Sequence, residues 1–255
     1  FNNELWRIIS KEADGTYKII RNDLLANRAY DEANHRSTEN NTYCTISSNG
    51  CGVYAAVSGT FSSPSGSQSG NVTEDSSIKI YLNDDYYVNN INATAKGQMI
   101  SHSFNIGTVE MLDQSGVETD SIEKNIAGEK MYQWTGNVGL ANVSDILKAS
   151  TNPLCKSASD NFDKAIQESP VVTCDSNYLF EIPDSTGYWI INAYSLESGG
   201  ASHHAWGVLR GSGLVGLDNP NAFFDVDIAP RPVVFLKSST TLSGSGTPDD
   251  PFTIV

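Results

Sequence analysis

The apolar residues of this chain occur in short runs, and each run is broken by Gly, Asn, Asp or Pro. The pattern is clearest in the last third, in G-Y-W-I-I-N-A-Y-S from Gly187 and A-W-G-V-L-R-G from Ala205. Short apolar runs between turn-forming residues are typical of β-strands. The pattern therefore predicts twisted antiparallel sheets that display loops.

Near the N-terminus, two further runs flank a turn signal. The runs are Leu5–Ile9 and Tyr17–Arg21, and Asp14-Gly15 lies between them. An Asp-Gly pair between two such runs is a strong indication of a β-hairpin. Because the first strand and the C-terminal strands are the most apolar segments, we expect the two ends of the chain to pair in one sheet.

The middle of the chain contains the best helical pattern. Asp75 or Ser76 can cap one helix, and Asn92 can cap a second one that continues towards Ile100. We expect Trp134–Val143 to form a strand and the residues after it to form a helical turn. With no repeat and no linker in the sequence, we predict one α+β domain over residues 1–255, with antiparallel sheets, a few short helices and long loops.

Four cysteines form two local pairs, Cys44 with Cys51 and Cys155 with Cys174. Four cysteines allow three pairings, and we expect the two local disulfides. Neither pair has the spacing of a zinc site. Two disulfides predict an oxidising, extracellular location. The alternative is four buried thiols in a cytosolic protein.

The formal net charge of the chain is -14. Such an acidic chain repels phosphate backbones and anionic membrane surfaces, so we expect no nucleic-acid partner. An acidic net charge also keeps a protein soluble, and solubility alone is enough to explain it without any partner. No apolar run approaches the ~18 to 20 residues that cross a bilayer, and we expect any leader or membrane anchor to lie outside these residues.

Several phrases, in their order, resemble a family of surface proteins common in Gram-positive gut bacteria and their wall-less relatives. They are W-R-I-I at Trp6, Y-K-I-I-R-N-D at Tyr17, N-A-T-A-K-G-Q-M-I at Asn92, W-T-G-N-V-G-L at Trp134, Cys155 with Cys174 followed by N-Y-L-F, Y-W-I-I-N-A at Tyr188, R-P-V-V-F-L-K at Arg231 and the ending P-F-T-I-V. Some family members carry a prepilin-type or membrane-anchoring N-terminal segment. The family offers no catalytic residues to carry over.

The C-terminal region, most strongly residues 130–255, also resembles C-type-lectin-like domains. In that fold the first and last strands pair, and a long loop region carries recognition. The resemblance therefore implies an extracellular binding domain displayed on a bacterial cell surface, with paired N- and C-terminal strands.

One acidic segment is a candidate calcium site, because carboxylates and side-chain amides are ligands that calcium takes. Its residues are Asp218, Asn219, Asn221, Asp225 and Asp227. Asn-Pro-Asn here resembles the Pro-containing loop that holds calcium and sugar in such lectins. The usual Glu or Gln before Pro and the later Trp-Asn-Asp are missing, and a Pro/Asn turn is the alternative.

The candidate ligand-binding residues are polar or aromatic side chains expected near exposed loops, with a position in the core as the open alternative for Tyr188 and Tyr194. They are Tyr188, Asn192, Tyr194, His203, His204, Asn219 and Asn221. Aromatic faces can stack on sugar rings or anchor a protein partner. The two histidines are adjacent, and on a strand they would point to opposite faces and would not share a metal ion. Trp6, Trp134 and Trp206 are expected in the core.

The sequence thus favours a noncatalytic recognition or adhesion module that binds a host or bacterial surface glycan or protein through the loops of its C-terminal third. A structural, pilin-like subunit is one alternative, and a secreted hydrolase is another. A hydrolase would need titratable groups in reacting geometry within a cleft.

Overall fold

The computed structural model describes residues 1–45, 47–111, 126–149, 178–180, 187–196, 202–211, 214–218, 222–223, 227–247 and 249–254. Within these ranges the protein is α+β, with several antiparallel sheets and a few short helices. The predicted class is therefore confirmed. The C-type-lectin-like topology and the boundaries of the domain stay predictions.

The described strands are β1 (Trp6–Lys11), β2 (Tyr17–Arg21), β3 (Thr60–Ser62), β4 (Ser69–Asn71), β5 (Met99–Ile100), β6 (His102–Asn105), β7 (Val109–Met111), β8 (Gln133–Gly136), β9 (Gly187–Leu196), β10 (Ala205–Gly211), β11 (Leu214–Asp218), β12 (Val233–Leu236), β13 (Leu242–Ser243) and β14 (Thr253–Ile254). The α-helices are α1 (Ser77–Ile80), α2 (Tyr87–Asn90), α3 (Ala93–Gln98) and α4 (Val143–Lys148). A π-helical segment, Tyr81–Tyr86, joins α1 to α2, and 3₁₀ turns occur at Ser47–Asn49 and Ile126–Met131.

The first sheet joins the N-terminal hairpin to β12, in the order β1-β2-β12-β5, and the last two strands, β13 and β14, form a separate two-stranded sheet. The β1–β2 hairpin turns at Gly15, which has a φ of 87°. Strand β12 pairs antiparallel with β2 from Val233↔Ile20 to Leu236↔Tyr17. The predicted hairpin is present. The N-terminal hairpin pairs with β12 from the C-terminal region, but the first strand β1 and the last strand β14 do not pair with each other.

The second sheet has the order β11-β10-β9-β7, with β7 parallel to β9 and the other pairs antiparallel. Trp189 on β9 and Trp206 on β10 are fully buried. Their indole Nε1 atoms donate to the carbonyl oxygens of Arg28 (2.8 Å) and Val109 (3.0 Å). Trp206 therefore lies in the core, as predicted, and Trp6 and Trp134 pack against the core while partly buried.

The helix caps predicted between Asp75 and Ile100 are confirmed. Ser76 caps α1 by accepting from the Lys79 N–H, and Asn92 caps α3 by accepting from the Ala95 N–H. Both are oxygen-bearing residues that satisfy N–H groups left free at a helix start.

The strand predicted over Trp134–Val143 is shorter than expected. Strand β8 ends at Gly136, and α4 begins at Val143 with Asn142 as its N-cap. The backbone of Asn142 is still extended, and its N–H donates to Asp145 Oδ2 at 2.8 Å, so the chain turns into the helix at Val143. The helical turn expected after this segment is α4.

The Cys44–Cys51 disulfide is present, as predicted. The other predicted pair, Cys155 with Cys174, lies outside the described residues. Beside the disulfide, the loop contacts the rest of the protein closely, since the Gly52 N–H donates to the Ser202 carbonyl oxygen at 2.8 Å. In the described part of the chain, no helix has the length and apolar character needed to span a membrane.

Candidate functional site

Three of the predicted ligand-binding residues lie in the interior and not near exposed loops. Tyr188, Asn192 and Tyr194 are all buried on β9, which is a central strand of its sheet. The Tyr188 hydroxyl donates to the Leu179 carbonyl oxygen at 2.6 Å, and the Tyr194 ring packs on Trp206 at 5.1 Å. The expectation of surface positions is wrong because elements of the core cover both faces of β9.

Asn192 connects three segments of the core. Its Oδ1 accepts from the Val143 N–H at 3.0 Å, and its Nδ2 donates to the Gly107 carbonyl oxygen at 3.0 Å. A buried amide with its donors and its acceptor paired stabilises the local structure. This arrangement holds the start of α4 against β9.

His203 and His204 contact each other, which corrects the prediction that they point to opposite faces. Their ring centroids are 4.2 Å apart, because Ser202 and His203 form a turn and not a regular strand. Burial, and secondarily His204, lower the pKa of His203. The two rings are therefore loop histidines packed together, and the lowered pKa favours the neutral form of His203.

The candidate calcium residues fall mostly outside the described part of the chain. Asn219, Asn221 and Asp225 lie outside it, Asp218 ends β11, and Asp227 is exposed. Among the described residues there is no group of three or more His, Cys, Asp and Glu side chains that could hold a metal ion. The calcium site stays a prediction, as do ligand contacts by Asn219 and Asn221.

A cavity lies at an unpredicted place, between β1 and the loop joining β13 to β14. It has a volume of about 530 Å³. We call it the aromatic cleft, and its lining residues are Phe1, Glu4, Leu5, Trp6, Arg7, Ile8, Tyr178, Gly246, Thr247, Pro251 and Phe252.

Two exposed apolar side chains and two aromatic rings that pack together line this cleft. Leu5 is 54% exposed and Phe252 is 47% exposed, although both are large apolar side chains. The Phe1 and Trp6 rings meet edge to face at 5.1 Å. Gly246 has a φ of 77°, and a Cβ there would lie 2.4 Å from the Phe252 ring. Glycine at this position therefore lets the Phe252 ring lie over the loop.

The polar groups of the cleft are held in fixed positions. Glu4 accepts two hydrogen bonds from the Arg21 guanidinium, at 3.0 and 3.1 Å. The Arg7 Nε donates to Asn22 Oδ1 at 2.8 Å, and the guanidinium lies 5.4 Å from the centre of the Tyr178 ring. Such pairs orient charged groups before a ligand arrives.

Tyr178 belongs to the cleft wall and is tied to β1. Its hydroxyl donates to the Ile8 carbonyl oxygen at 2.9 Å. Burial raises the pKa of Tyr178 to about 12, so its hydroxyl stays protonated at neutral pH. The indole Nε1 of neighbouring Trp6 is buried and has no hydrogen-bond partner among the described residues.

The sequence predicts recognition through residues such as Tyr188 to Asn221, none of which lines the aromatic cleft. The walls of the cleft come from opposite ends of the chain, so no local pattern contains them. The available signal was the predicted pairing of the two chain ends together with the apolar residues Leu5 and Phe252 near those ends.

Comparison of the chain with known protein families, with curated proteins and with solved structures found no match. The geometry of the aromatic cleft is therefore the main basis for a functional assignment.

Proposed function

We propose that the protein is a noncatalytic recognition module on a bacterial cell surface, and that it binds a carbohydrate through the aromatic cleft. The observation that carries the proposal is the grouping of aromatic and apolar side chains, with Leu5 and Phe252 exposed, around a cavity of about 530 Å³. Ligand cavities are concave, mostly apolar, and about 300–1,000 Å³ in volume. This cleft has the size of a site for one or two sugar rings.

Carbohydrates have apolar C–H faces and polar edges, and the cleft offers surfaces for both. Phe252 and Trp6 provide flat aromatic faces on which a sugar ring can stack. Arg7 and Glu4 lie at the same cleft and are already oriented by Asn22 and Arg21. A ligand that satisfied these groups would not have to order them, which favours binding.

The hydrogen bonds of Glu4 support a noncatalytic role for the cleft. It is the one carboxylate among the described residues that line the cleft, and Arg21 holds both of its oxygens. Glycoside cleavage generally needs two carboxyl groups across the scissile bond. Recognition needs only the fixed polar contacts that the cleft has.

An extracellular location is part of the proposal. The Cys44–Cys51 disulfide supports it, because disulfides persist mainly in oxidising compartments. The acidic balance of the chain is compatible with a soluble, displayed domain.

A glycan array followed by titration calorimetry tests the proposal, with Phe252→Ala as the cleft variant and Met131→Ala as its control. Both side chains are 47% exposed, but Met131 does not line the cleft. We expect Phe252→Ala to weaken binding about tenfold, since a lost aromatic contact is worth about 1 to 2 kcal/mol. Equal affinities for the two variants, or binding to no glycan, would contradict the proposal.

A protein ligand is the second candidate, because β1 is an edge strand of its sheet and borders the cleft. An extended peptide can add to such an edge. The register shift between Ile8 and Ser10 and the Tyr178 bond to the Ile8 carbonyl oxygen make this edge irregular. We therefore favour the carbohydrate, and a peptide array with the same two variants separates the candidates.

A further inference from the structure

A lysine, an asparagine and an aspartate meet in the interior, in a cluster separate from the aromatic cleft. Lys18 lies on β2, Asn142 is the N-cap of α4, and Asp145 lies in the first turn of α4. The Lys18 Nζ is 3.0 Å from Asn142 Oδ1 and 2.5 Å from Asp145 Oδ2. Lys18 is 6% exposed and Asn142 is 3% exposed. An amine thus lies against a carboxamide and a carboxylate with little access to water.

Hydrogen bonds to both its oxygen and its nitrogen fix the orientation of the Asn142 carboxamide. Its Nδ2 donates to the Asn105 carbonyl oxygen at 2.7 Å and to Asn192 Oδ1 at 3.2 Å. Its Oδ1 accepts from the Lys18 Nζ at 3.0 Å. A cationic donor on the carbonyl oxygen polarises the C=O bond and makes its carbon a better electrophile.

The surroundings of the cluster are apolar and contain a second carboxyl group. The Phe235 ring centre is 5.8 Å from Lys18 Nζ. Glu129 is also buried, and its Oε1 accepts from the Ser144 N–H at 2.8 Å. Burial raises the pKa of Glu129 to about 7. Such an interior disfavours charge, and a buried ion pair alone is often no more stabilising than apolar residues of the same volume.

We propose that Lys18 and Asn142 form an intramolecular isopeptide bond, and that Asp145 is the catalytic carboxylate that transfers the proton. The product would join β2 covalently to the start of α4. The two residues are 124 positions apart in the sequence, so the bond would close a long loop.

The reaction balances without any oxidant or other co-reactant. Asp145 takes a proton from the Lys18 ammonium, and the neutral Nζ forms a bond to Cγ of Asn142. The Cγ–Nδ2 bond then breaks, and Nδ2 leaves with the transferred proton and an amine proton. The net change is a lysine ammonium and a carboxamide becoming a secondary amide and one ammonium ion, while the Asp145 carboxylate is regenerated.

The choice of Asn142 as the electrophile follows from its contacts. A carboxylate resists attack by an amine, whereas a carboxamide has a neutral carbonyl carbon and ammonia as its leaving group. The Asp145 N–H donates to the backbone carbonyl oxygen of Asn142 at 3.1 Å, and this bond does not involve the side chain that reacts. The link would therefore form without disturbing the helix start.

Intact mass spectrometry of the disulfide-reduced protein tests the proposal directly. We expect the protein to be lighter than its sequence mass by one ammonia, about 17 Da. Trypsin would leave Lys18 uncut, and the peptide of residues 12–21 would remain joined to that of residues 131–148. A full sequence mass overturns the proposal. A loss of one water, about 18 Da, mapped to Asp145 or Glu129, overturns the assignment to Asn142.

Two variants and a control test the roles. Lys18→Arg keeps the charge but cannot act as a nucleophile, so we expect its full sequence mass. Asp145→Asn removes the proton acceptor, and we expect a folded protein with the full mass. Lys79→Arg alters another Lys–Asp pair, with Asp75, and should leave the mass loss unchanged. A mass loss in Asp145→Asn overturns the role of Asp145. If Lys18→Arg does not fold, the peptide map of the unaltered protein decides alone.

Discussion

The guanidinium of Arg36 binds the carboxylate of Asp31 inside the protein, with Nε 2.9 Å from Oδ2 and both side chains fully buried. The same carboxylate accepts from the Cys51 N–H at 2.9 Å, and an Arg36 Nη atom donates to the Val53 carbonyl oxygen at 2.5 Å. This ion pair therefore organises the backbone around the Cys44–Cys51 disulfide. Because the pair is buried and bonds backbone groups of the disulfide loop, its role is structural.

We expect Arg36→Met to lower the free energy of unfolding by about 3 to 5 kcal/mol, because it leaves the Asp31 carboxylate buried and unpaired. The control is Lys79→Met, which breaks the Lys79–Asp75 pair near the surface. That change should cost about 1 kcal/mol or less. Urea denaturation of both variants measures the difference, and similar losses would contradict the structural role of the buried pair.

Replacing Gly52 and Gly97 by alanine should change the stability of the protein in opposite directions. A Cβ at Gly52 would lie 1.7 Å from the His204 carbonyl oxygen, whereas a Cβ at Gly97, inside α3, meets nothing within 4 Å. We expect Gly52→Ala to destabilise the protein by more than about 2 kcal/mol, since backbone must move. Gly97→Ala should stabilise it by about 0.5 to 1 kcal/mol, since alanine favours helix.

Thermal unfolding of both glycine variants beside the unaltered protein measures these shifts. A melting temperature for Gly52→Ala equal to that of the unaltered protein would show that the disulfide loop does not pack against His204. A lower melting temperature for Gly97→Ala would show that α3 is not helical at that position.

Local sequence signals predicted local structure well. Gly15 marked the turn of the first hairpin, and Ser76 and Asn92 marked helix starts. Cys44 and Cys51, seven residues apart, form the expected disulfide. Each of these features depends on residues close together in the chain, so the sequence contains the information directly.

Burial and the cleft could not be predicted in the same way, because both depend on distant segments. Tyrosine is commonly half-exposed, yet the Tyr194 ring packs on Trp206 and is only 5% exposed. Phe252 lies in a polar C-terminal segment, and only folding brings it beside Trp6. The turn at His203 likewise follows from tertiary contacts and not from its neighbours in sequence.

Glu129 should make stability depend on pH between about 4.5 and about 7. Burial raises the pKa of Glu129 from 4.5 to about 7, so the folded state binds more protons than the unfolded state in that window. The free energy of unfolding therefore falls as the pH rises through the window, by about 3 kcal/mol for a shift of this size, and is constant above it.

Glu129→Gln removes this titration and keeps the shape of the side chain. We expect the variant to lose that decline with pH and to be at least as stable as the unaltered protein at pH 8. Urea titrations at about pH 5 and about pH 8 measure the difference, because the free energy of unfolding depends on protons bound in each state. The same decline in both proteins would contradict the role of Glu129.

Calcium should stabilise the protein if Asp225 and Asp227 contribute to the predicted site. A ligand that binds only the folded state adds about 2.7 kcal/mol at one hundred times its dissociation constant. We expect calcium, but not sodium at equal ionic strength, to raise the melting temperature. The double variant Asp225→Asn/Asp227→Asn should abolish the rise. Asp84→Asn/Asp85→Asn, an equal charge change at exposed positions, should retain it. Equal changes in the melting temperatures of the two double variants would mean that Asp225 and Asp227 do not bind calcium.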